Sequence, residues 1–307
     1  MRGVGIATTR RATARMYERC FDCPRLCGVN RSVTVGFCGV PDRPRIARAA
    51  PHFGEEPCLS GTRGAGAVFF SGCSLRCIYC QNFPISHLGQ GETVGPERLL
   101  AIFSELEEQG VHNLDLVTPT HYTSLLADLL QRHPQRLPVV WNSSGYERVE
   151  LLRCLEGSVD VYLPDLKYHS EEAAELSDAK DYFKVASSAL LEMARQVGEP
   201  EFDQEGLLRR GLLVRHLVLP GLSKDSVALL EWCAANLPEG TRYSIMAQYT
   251  PTEAVRDRRD LNRRLTAFEY DRVAQAALRL NLKGYFQERS AAGEEEIPAF
   301  DGTGVGP

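Results

Sequence analysis

From Ala67 onward the chain alternates short apolar runs with longer amphipathic ones, and this rhythm restricts the fold more than any other feature. Strand-like runs are read at Ala67–Ser71, Asn113–Thr118, Leu137–Asn142, Val159–Pro164, Leu212–Pro220 and Tyr243–Gln248, with a weaker one at Lys283–Gln287. Helical patterns lie between them. Pro96–Gln109 opens with Pro, carries Leu99, Leu100, Phe103 and Leu106, and meets a stop at Gly110. Tyr122–Arg132 ends before Pro134, and Asp181–Val197 and Leu261–Leu280 are longer amphipathic runs. Shorter helix-like segments, Glu147–Glu156 and Ser226–Leu237, place Cys154 and Cys233 as small core side chains. Strands alternating with helices imply a parallel sheet wrapped by helices. Six or seven such units suit an open, partial β/α barrel of about six strands better than a closed eight-fold one.

The segment before this rhythm is different. Residues 17–66 are rich in Cys, Pro and Gly without a long periodic element, and read as a small metal-stapled module ahead of a barrel at 67–290. Residues 1–16 read as a basic tail, and 291–307, rich in Gly and Glu, as a loosely ordered one. The stretch Arg2–Arg19 has no apolar core, so it is no secretory signal; its composition also suits a transit peptide, and a basic tail is the reading taken. A net charge of −5 over 307 residues gives no electrostatic reason to expect nucleic acid. No apolar run nears the roughly 18 residues of a membrane span. Ten cysteines without a secretory leader read as metal ligands rather than disulfides, and a reducing, cytoplasmic setting is expected.

Seven of the ten cysteines fall in two clusters. Cys73, Cys77 and Cys80 make C-x3-C-x2-C directly after the first apolar run. Three thiolates can hold three irons of a cubane cluster and leave the fourth open to another ligand, where structural sites close with four cysteines. Cys20, Cys23, Cys27 and Cys38 make C-x2-C-x3-C-x10-C, a full set for structural zinc or for a closed auxiliary cluster. A structural metal, zinc, is the reading preferred there, with Cys58 and His52 as substitutes for a ligand, and Arg25 and Arg31 offsetting the thiolate charge.

In parallel α/β folds the chemistry gathers at the C-terminal strand ends. Here those ends carry the Cys73–Cys80 loop, Thr118-Pro119-Thr120-His121-Tyr122, Asn142-Ser143-Ser144-Gly145-Tyr146, Pro164-Asp165-Leu166-Lys167-Tyr168, Leu219-Pro220-Gly221 after Arg215-His216, and Gln248-Tyr249-Thr250-Pro251. Two other signals are discounted. Gly61, Gly64 and Gly66 precede a strand, whereas a phosphate loop follows one and opens a helix. The arginines between Arg256 and Arg264 are diluted by Asp257 and Asp260 and read as a solvated helix start or a partner surface.

The three-cysteine loop after the first strand of a partial barrel resembles the radical S-adenosylmethionine superfamily. Asp165-Leu166-Lys167 and Leu219-Pro220-Gly221 are similar to its pyruvate formate-lyase activating enzyme branch, and the N-terminal cysteines to a poorly characterised subgroup of it. The likeness spans roughly residues 20–300. It implies a [4Fe-4S] cluster on Cys73, Cys77 and Cys80 that reductively cleaves S-adenosylmethionine to methionine and a 5′-deoxyadenosyl radical, which abstracts hydrogen from a substrate. It implies cofactor contacts from Tyr79, Thr118, Thr120, Asn142, Ser143, Asp165, Lys167 and His216, with Asp165 and Lys167 holding the methionyl carboxylate, in part through a monovalent cation. The alternative for that pair is a surface ion pair. His121 and Tyr122 would face the substrate or cap the loop. A Gly-Gly-Glu-like amine contact after the second strand is missing; Thr118-Pro119-Thr120-His121 stands there. The implied partners are a flavodoxin or ferredoxin reductant and a glycyl radical protein as substrate. The sequence shows no coiled-coil pattern, so a monomer is the default and the oligomeric state is left open. The competing functions are a radical enzyme acting on another peptide, RNA or small molecule, and a non-catalytic iron–sulfur carrier.

Overall fold

A computed structural model describes residues 17–287 and 298–306. The expected basic tail at 1–16 and residues 291–297 and 307 of the expected C-terminal tail lie outside the described residues. Ten strands form one sheet: β1 Arg45–His52, β2 Ala65–Phe70, β3 Glu92–Thr93, β4 Leu114–Val117, β5 Val139–Ser143, β6 Val161–Pro164, β7 Glu201–Phe202, β8 Leu208–Leu217, β9 Arg242–Met246 and β10 Lys283–Phe286. Their order is β10-β9-β8-β6-β5-β4-β2-β1-β3, with β7 pairing β8 off the path. From β2 to β10 the main-path pairs are parallel. Each strand read from the sequence is present. The main helices are α1 Pro96–Glu108, α2 Thr123–Arg132, α3 Tyr182–Val197, α4 Ser223–Asn236 and α5 Ala267–Arg279.

Alternation along each strand separates two faces. Val68, Phe70, Leu114, Leu116, Trp141, Tyr162, Leu212, Val214 and Ile245 pack outward under the helices. The other parity points into the barrel. Val140, Val161, Leu163, Leu208 and Leu213 form one inner cluster with Cys58 and Leu59; Ala67, Phe69 and Val117 form a second with Ala47, Ile85 and Phe300. Two apolar clusters thus fill much of the inner face, and the polar strand ends gather on one rim.

The structure revises several readings. The segment 17–66 is not a unit apart. β1 lies inside it and pairs antiparallel with β2 from Ile46↔Phe70 to His52↔Ala65, so the boundary at 66/67 cuts through the main sheet. Its sequence, Arg-Ile-Ala-Arg-Ala-Ala-Pro-His, has too few large apolar residues to announce a strand. Helix α5 starts at Ala267, not Leu261, because Thr266 and Glu269 form a reciprocal capping box that fixes the first turn there. The preceding arginines sit in turns, where Arg258 pairs with Asp260 and Arg263 with Glu269. Cys154 is exposed rather than in the core: its segment is a single helical turn, and Leu152 and Leu155 take the buried positions. Cys233 is fully buried. Residues 298–306 fold back on the sheet. Ala49 N–H donates to Thr303 O at 2.9 Å, Gly302 N–H to Ala47 O at 3.0 Å, and Arg98 binds the Val305 carbonyl at 3.0 Å.

One glycine ties two strand ends together. Gly145 has φ +71°, and a Cβ there would stand 2.4 Å from the Asp165 carbonyl oxygen. Gly145→Ala should therefore cost about 2 kcal/mol of stability. Chemical denaturation of the two proteins checks this; an unchanged midpoint would show that the β5 and β6 ends do not rely on this contact.

Candidate active site

The strand ends surround one cavity of about 560 Å³. Cys73, Cys77 and Cys80 line it from the loop after β2, with Tyr79 between the last two. Thr118 comes from the end of β4, Asn142, Ser143 and Ser144 from β5, Asp165 and Lys167 from β6, and Arg215 and Leu217 from β8. Ser244, Met246 and Gln248 on and after β9, and Gln287 after β10, complete the wall.

The cysteine loop is shaped for thiolate ligands. Leu75 N–H donates to Cys73 Sγ at 3.4 Å, Ser86 Oγ to Cys80 Sγ at 3.3 Å, and Ser177 Oγ lies 2.8 Å from Cys77 Sγ. Burial raises the thiols, Cys73 far up and Cys80 to about 11, each also held up by Cys77 and drawn down by Lys167. A cation bound among the three sulfurs would offset that cost of burial. Among the described residues no three His, Cys, Asp or Glu side chains converge closely enough to hold a single metal ion. A cubane asks something else of the loop, one thiolate on each of three irons, and these three residues fit it.

Lys167 is the cation facing the loop. Its Nζ donates to Asp165 Oδ2 at 2.6 Å, and burial, which would lower its pKa, is outweighed by Asp165 and Cys77. Both side chains are partly exposed to the cavity, 17% and 31%, so this is no surface ion pair. Tyr79 is packed edge-on to Tyr168, and their hydroxyls are hydrogen-bonded. Thr118 takes a left-handed φ of +62° while its N–H reaches Asn142 O at 2.8 Å. A β-branched residue rarely adopts this conformation, and here it turns the chain out of β4 at the cavity wall.

Six of the eight residues assigned to the cofactor, Tyr79, Thr118, Asn142, Ser143, Asp165 and Lys167, line the cavity. Thr120 and His216 do not. Thr120 is buried behind the rim and gives its hydroxyl to Glu147 Oε1 at 2.8 Å. His216 shares the outward parity of Leu212 and Val214; its Nδ1 meets Leu166 O at 2.7 Å, and burial lowers its pKa. His121 and Tyr122 also point away from the cavity. His121 Nε2 meets Ser71 O at 2.8 Å, and Tyr122 donates to Arg43 O at 3.0 Å.

The residue one step from His216 is the one on the cavity wall that sequence reasoning left unassigned. Arg215 points inward and grips Glu56 with two bonds, Nε–Oε1 at 2.8 Å and Nη2–Oε2 at 2.6 Å, and also binds Glu55. Asp115, on the same inner face, is held well above the usual carboxylate range by burial and by Glu55, and accepts from Asn142 Nδ2 at 3.3 Å. Strand parity, β8 read against Leu213 and Leu217, was the available signal.

The fold defines an α/β protein with a largely parallel sheet, and its three-cysteine loop opens on the cavity at the strand ends. The family model described as a 4Fe-4S single cluster domain matches residues 60–180, which include all three loop cysteines. Uncharacterized protein MJ0674 of Methanocaldococcus jannaschii is 30% identical over 278 residues, 87% of this chain and 76% of the relative. This chain belongs to the family of that archaeal protein. Among solved structures, Streptococcus suis SuiB bound to precursor peptide SuiA is 12% identical with a TM-score of 0.49, over 70% of this chain and 46% of SuiB. Native anSMEcpe with bound AdoMet is 11% identical with a TM-score of 0.47, over 70% of this chain and 61% of that one. The chain thus spans about half to three fifths of the length of these two structural matches. Among the described residues no helix is long and apolar enough to cross a membrane.

Behind the rim, Glu147 is fully buried and accepts from Thr120 Oγ1 and from Trp141 Nε1 at 3.1 Å. Burial raises its pKa from 4.5 to about 7. The folded state thus holds this proton more tightly than the unfolded one. Its contribution is complete below the ordinary value and is lost as pH rises through about 7. The loss amounts to about 3 kcal/mol. Glu147→Gln keeps the acceptor and removes the titration. Urea midpoints at pH 5 and pH 8 should fall less in this variant than in the parent; equal falls would show that Glu147 is ionised throughout.

Proposed function

We propose that this protein is a radical S-adenosylmethionine enzyme of the activating-enzyme kind, whose substrate is a glycine residue of a partner protein. The observation that carries the chemistry is the convergence in one cavity of a three-cysteine loop, the Asp165–Lys167 pair and the polar ends of β4 and β5. A [4Fe-4S] cluster bound there by Cys73, Cys77 and Cys80 would supply an iron with a free coordination position and the electron for reductive cleavage of S-adenosylmethionine.

The chain's own residues then have separable tasks. Lys167, oriented by Asp165, offers the positive charge that a methionyl carboxylate requires. Thr118, Asn142 and Ser143 present hydroxyl and amide groups to the polar parts of the cofactor, and Asp165 is the acidic group beside them. Tyr79 gives an apolar wall. The buried inner clusters below exclude water from the site, which a carbon radical demands. No proton transfer is needed, and no nucleophile–base pair is invoked. The glycine substrate follows from the resemblance at Asp165-Leu166-Lys167 and Leu219-Pro220-Gly221. Phe53, which is 63% exposed at the cavity mouth, gives a protein chain an apolar place to bear on.

Reconstituted anaerobically and reduced with dithionite, the protein should release 5′-deoxyadenosine from S-adenosylmethionine, and Cys77→Ala should release none. An intact cluster without turnover would make the protein an electron carrier instead. Lys167→Met should weaken S-adenosylmethionine binding about tenfold, the equivalent of one charge-assisted contact. Isothermal titration checks this, and unchanged affinity would return Lys167 to a purely structural role.

A further inference from the structure

We propose that Cys20, Cys23, Cys27 and Cys38 hold a second, fully cysteine-ligated iron–sulfur cluster, seated directly against the loop of the first. All four are free thiols; Cys20, Cys23 and Cys38 are buried and Cys27 is half-buried. The chain brings them together by a tight local fold. Gly28 N–H bonds Cys20 O at 2.9 Å, Leu26 N–H bonds Cys23 O at 3.1 Å, and Leu26 and Gly28 both take left-handed backbone, φ 46° and 63°. Phe37 N–H donates to Cys27 Sγ at 3.4 Å, as amides do around cluster thiolates. Cys23 sits within the field of the other three thiols, and Cys38 within that of Cys20 and Cys27.

An independent observation asks for negative charge here. Arg31 is 1% exposed, and no carboxylate among the described residues lies within ion-pair distance of it. Its Nη1 reaches Cys20 Sγ at 3.8 Å and the His121 carbonyl, its Nη2 reaches Pro41 O at 2.6 Å, and its Nε has no partner. The rings of Tyr17 and Tyr122 flank it at 4.5 and 4.7 Å. Burying a lone cation is costly unless an anion accompanies it. Four thiolates around a cluster are that anion. Tyr17 and Asp22, which bond to each other at 3.0 Å, do not fill the role: Asp22 spends its oxygens on Ser124 and Tyr17, and burial raises its pKa.

The thiols do not converge on a single ion, and this holds for the first loop as well. A polynuclear cluster takes one thiolate on each of four irons, and it does not require the four sulfurs to meet on one ion. The two cysteine sets are also in contact. A Cβ on Gly72, which has φ +84°, would lie 2.7 Å from Cys38 O. Arg25 stacks 3.8 Å over Phe37 and donates to Ser74 O at 2.8 Å, while Arg76 donates to Phe37 O at 2.9 Å.

Metal and sulfide analysis of the whole chain, reconstituted anaerobically with iron and sulfide and then desalted, tests this. The expected content is about eight iron and eight sulfide per chain, twice that of one cubane. A Cys73→Ala, Cys77→Ala, Cys80→Ala variant should keep about four of each and, once reduced, a paramagnetic resonance signal; adding Cys27→Ser should remove both. About four iron in the parent chain, with or without one zinc, and the same four in a Cys27→Ser variant of the otherwise intact chain overturns the proposal. This comparison decides even if the triple variant fails to fold. Cleavage of S-adenosylmethionine is not read, so eight irons without turnover would reject the proposed function and leave this cluster standing.

Discussion

An incompletely closed barrel has an inner face that no helix covers, and the chain must fill it from within. It does so in two levels. Val140, Val161, Leu163 and Leu213 close the lower level with Leu59 and Cys58 from the segment before β2. Above them, Arg215 is clamped by Glu55 and Glu56, whose side chains are only 6% exposed. Breaking such a buried pair leaves an uncompensated charge and costs about 3–5 kcal/mol. The arrangement therefore locks the Glu55–Ser60 segment under the cavity and ends the apolar level where the polar one begins. The cavity exists because the inner filling stops at Arg215.

The cysteine loop is supported from outside the barrel. Its approach through Gly72 admits the Cys38 carbonyl, and its Ser74 carbonyl is taken by Arg25. The opposite wall is tyrosine: Tyr79, Tyr168 and Tyr182 meet edge to face, and the Tyr182 hydroxyl donates to Ser144 O at 2.8 Å and Asp165 O at 2.9 Å. One hydroxyl thus fixes two strand ends to each other. Positioning here comes from short-range contacts to backbone carbonyls, which tolerate little displacement.

Strand rhythm was legible because parallel strands buried on both faces are apolar throughout. The rim was legible because polar groups interrupted those runs at their C-terminal ends. Two kinds of information were not. Side-chain direction flips with each residue, so counting His216 among the cofactor contacts and leaving Arg215 unassigned exchanged the two faces of β8. Partners far apart in sequence leave no local trace: Glu56 and Arg215 are separated by 159 positions, and nothing near either one announces the other. Thr120 and His121 looked available because they follow a strand. The left-handed turn at Thr118 instead sends them behind the rim, to Glu147 and the Ser71 carbonyl.

The two ends of the sheet face different hazards. On one side β1 and β3 finish it antiparallel, with the 298–306 segment bonded over β1. On the other, β10 pairs only with β9 among the described strands and leaves a row of backbone groups without a neighbouring strand. Such an edge is a template on which further chains can stack. β10 is four residues long, begins with an exposed Lys283 and continues with Gly284 at φ 151°. A short, charged, glycine-interrupted edge offers little length for such pairing.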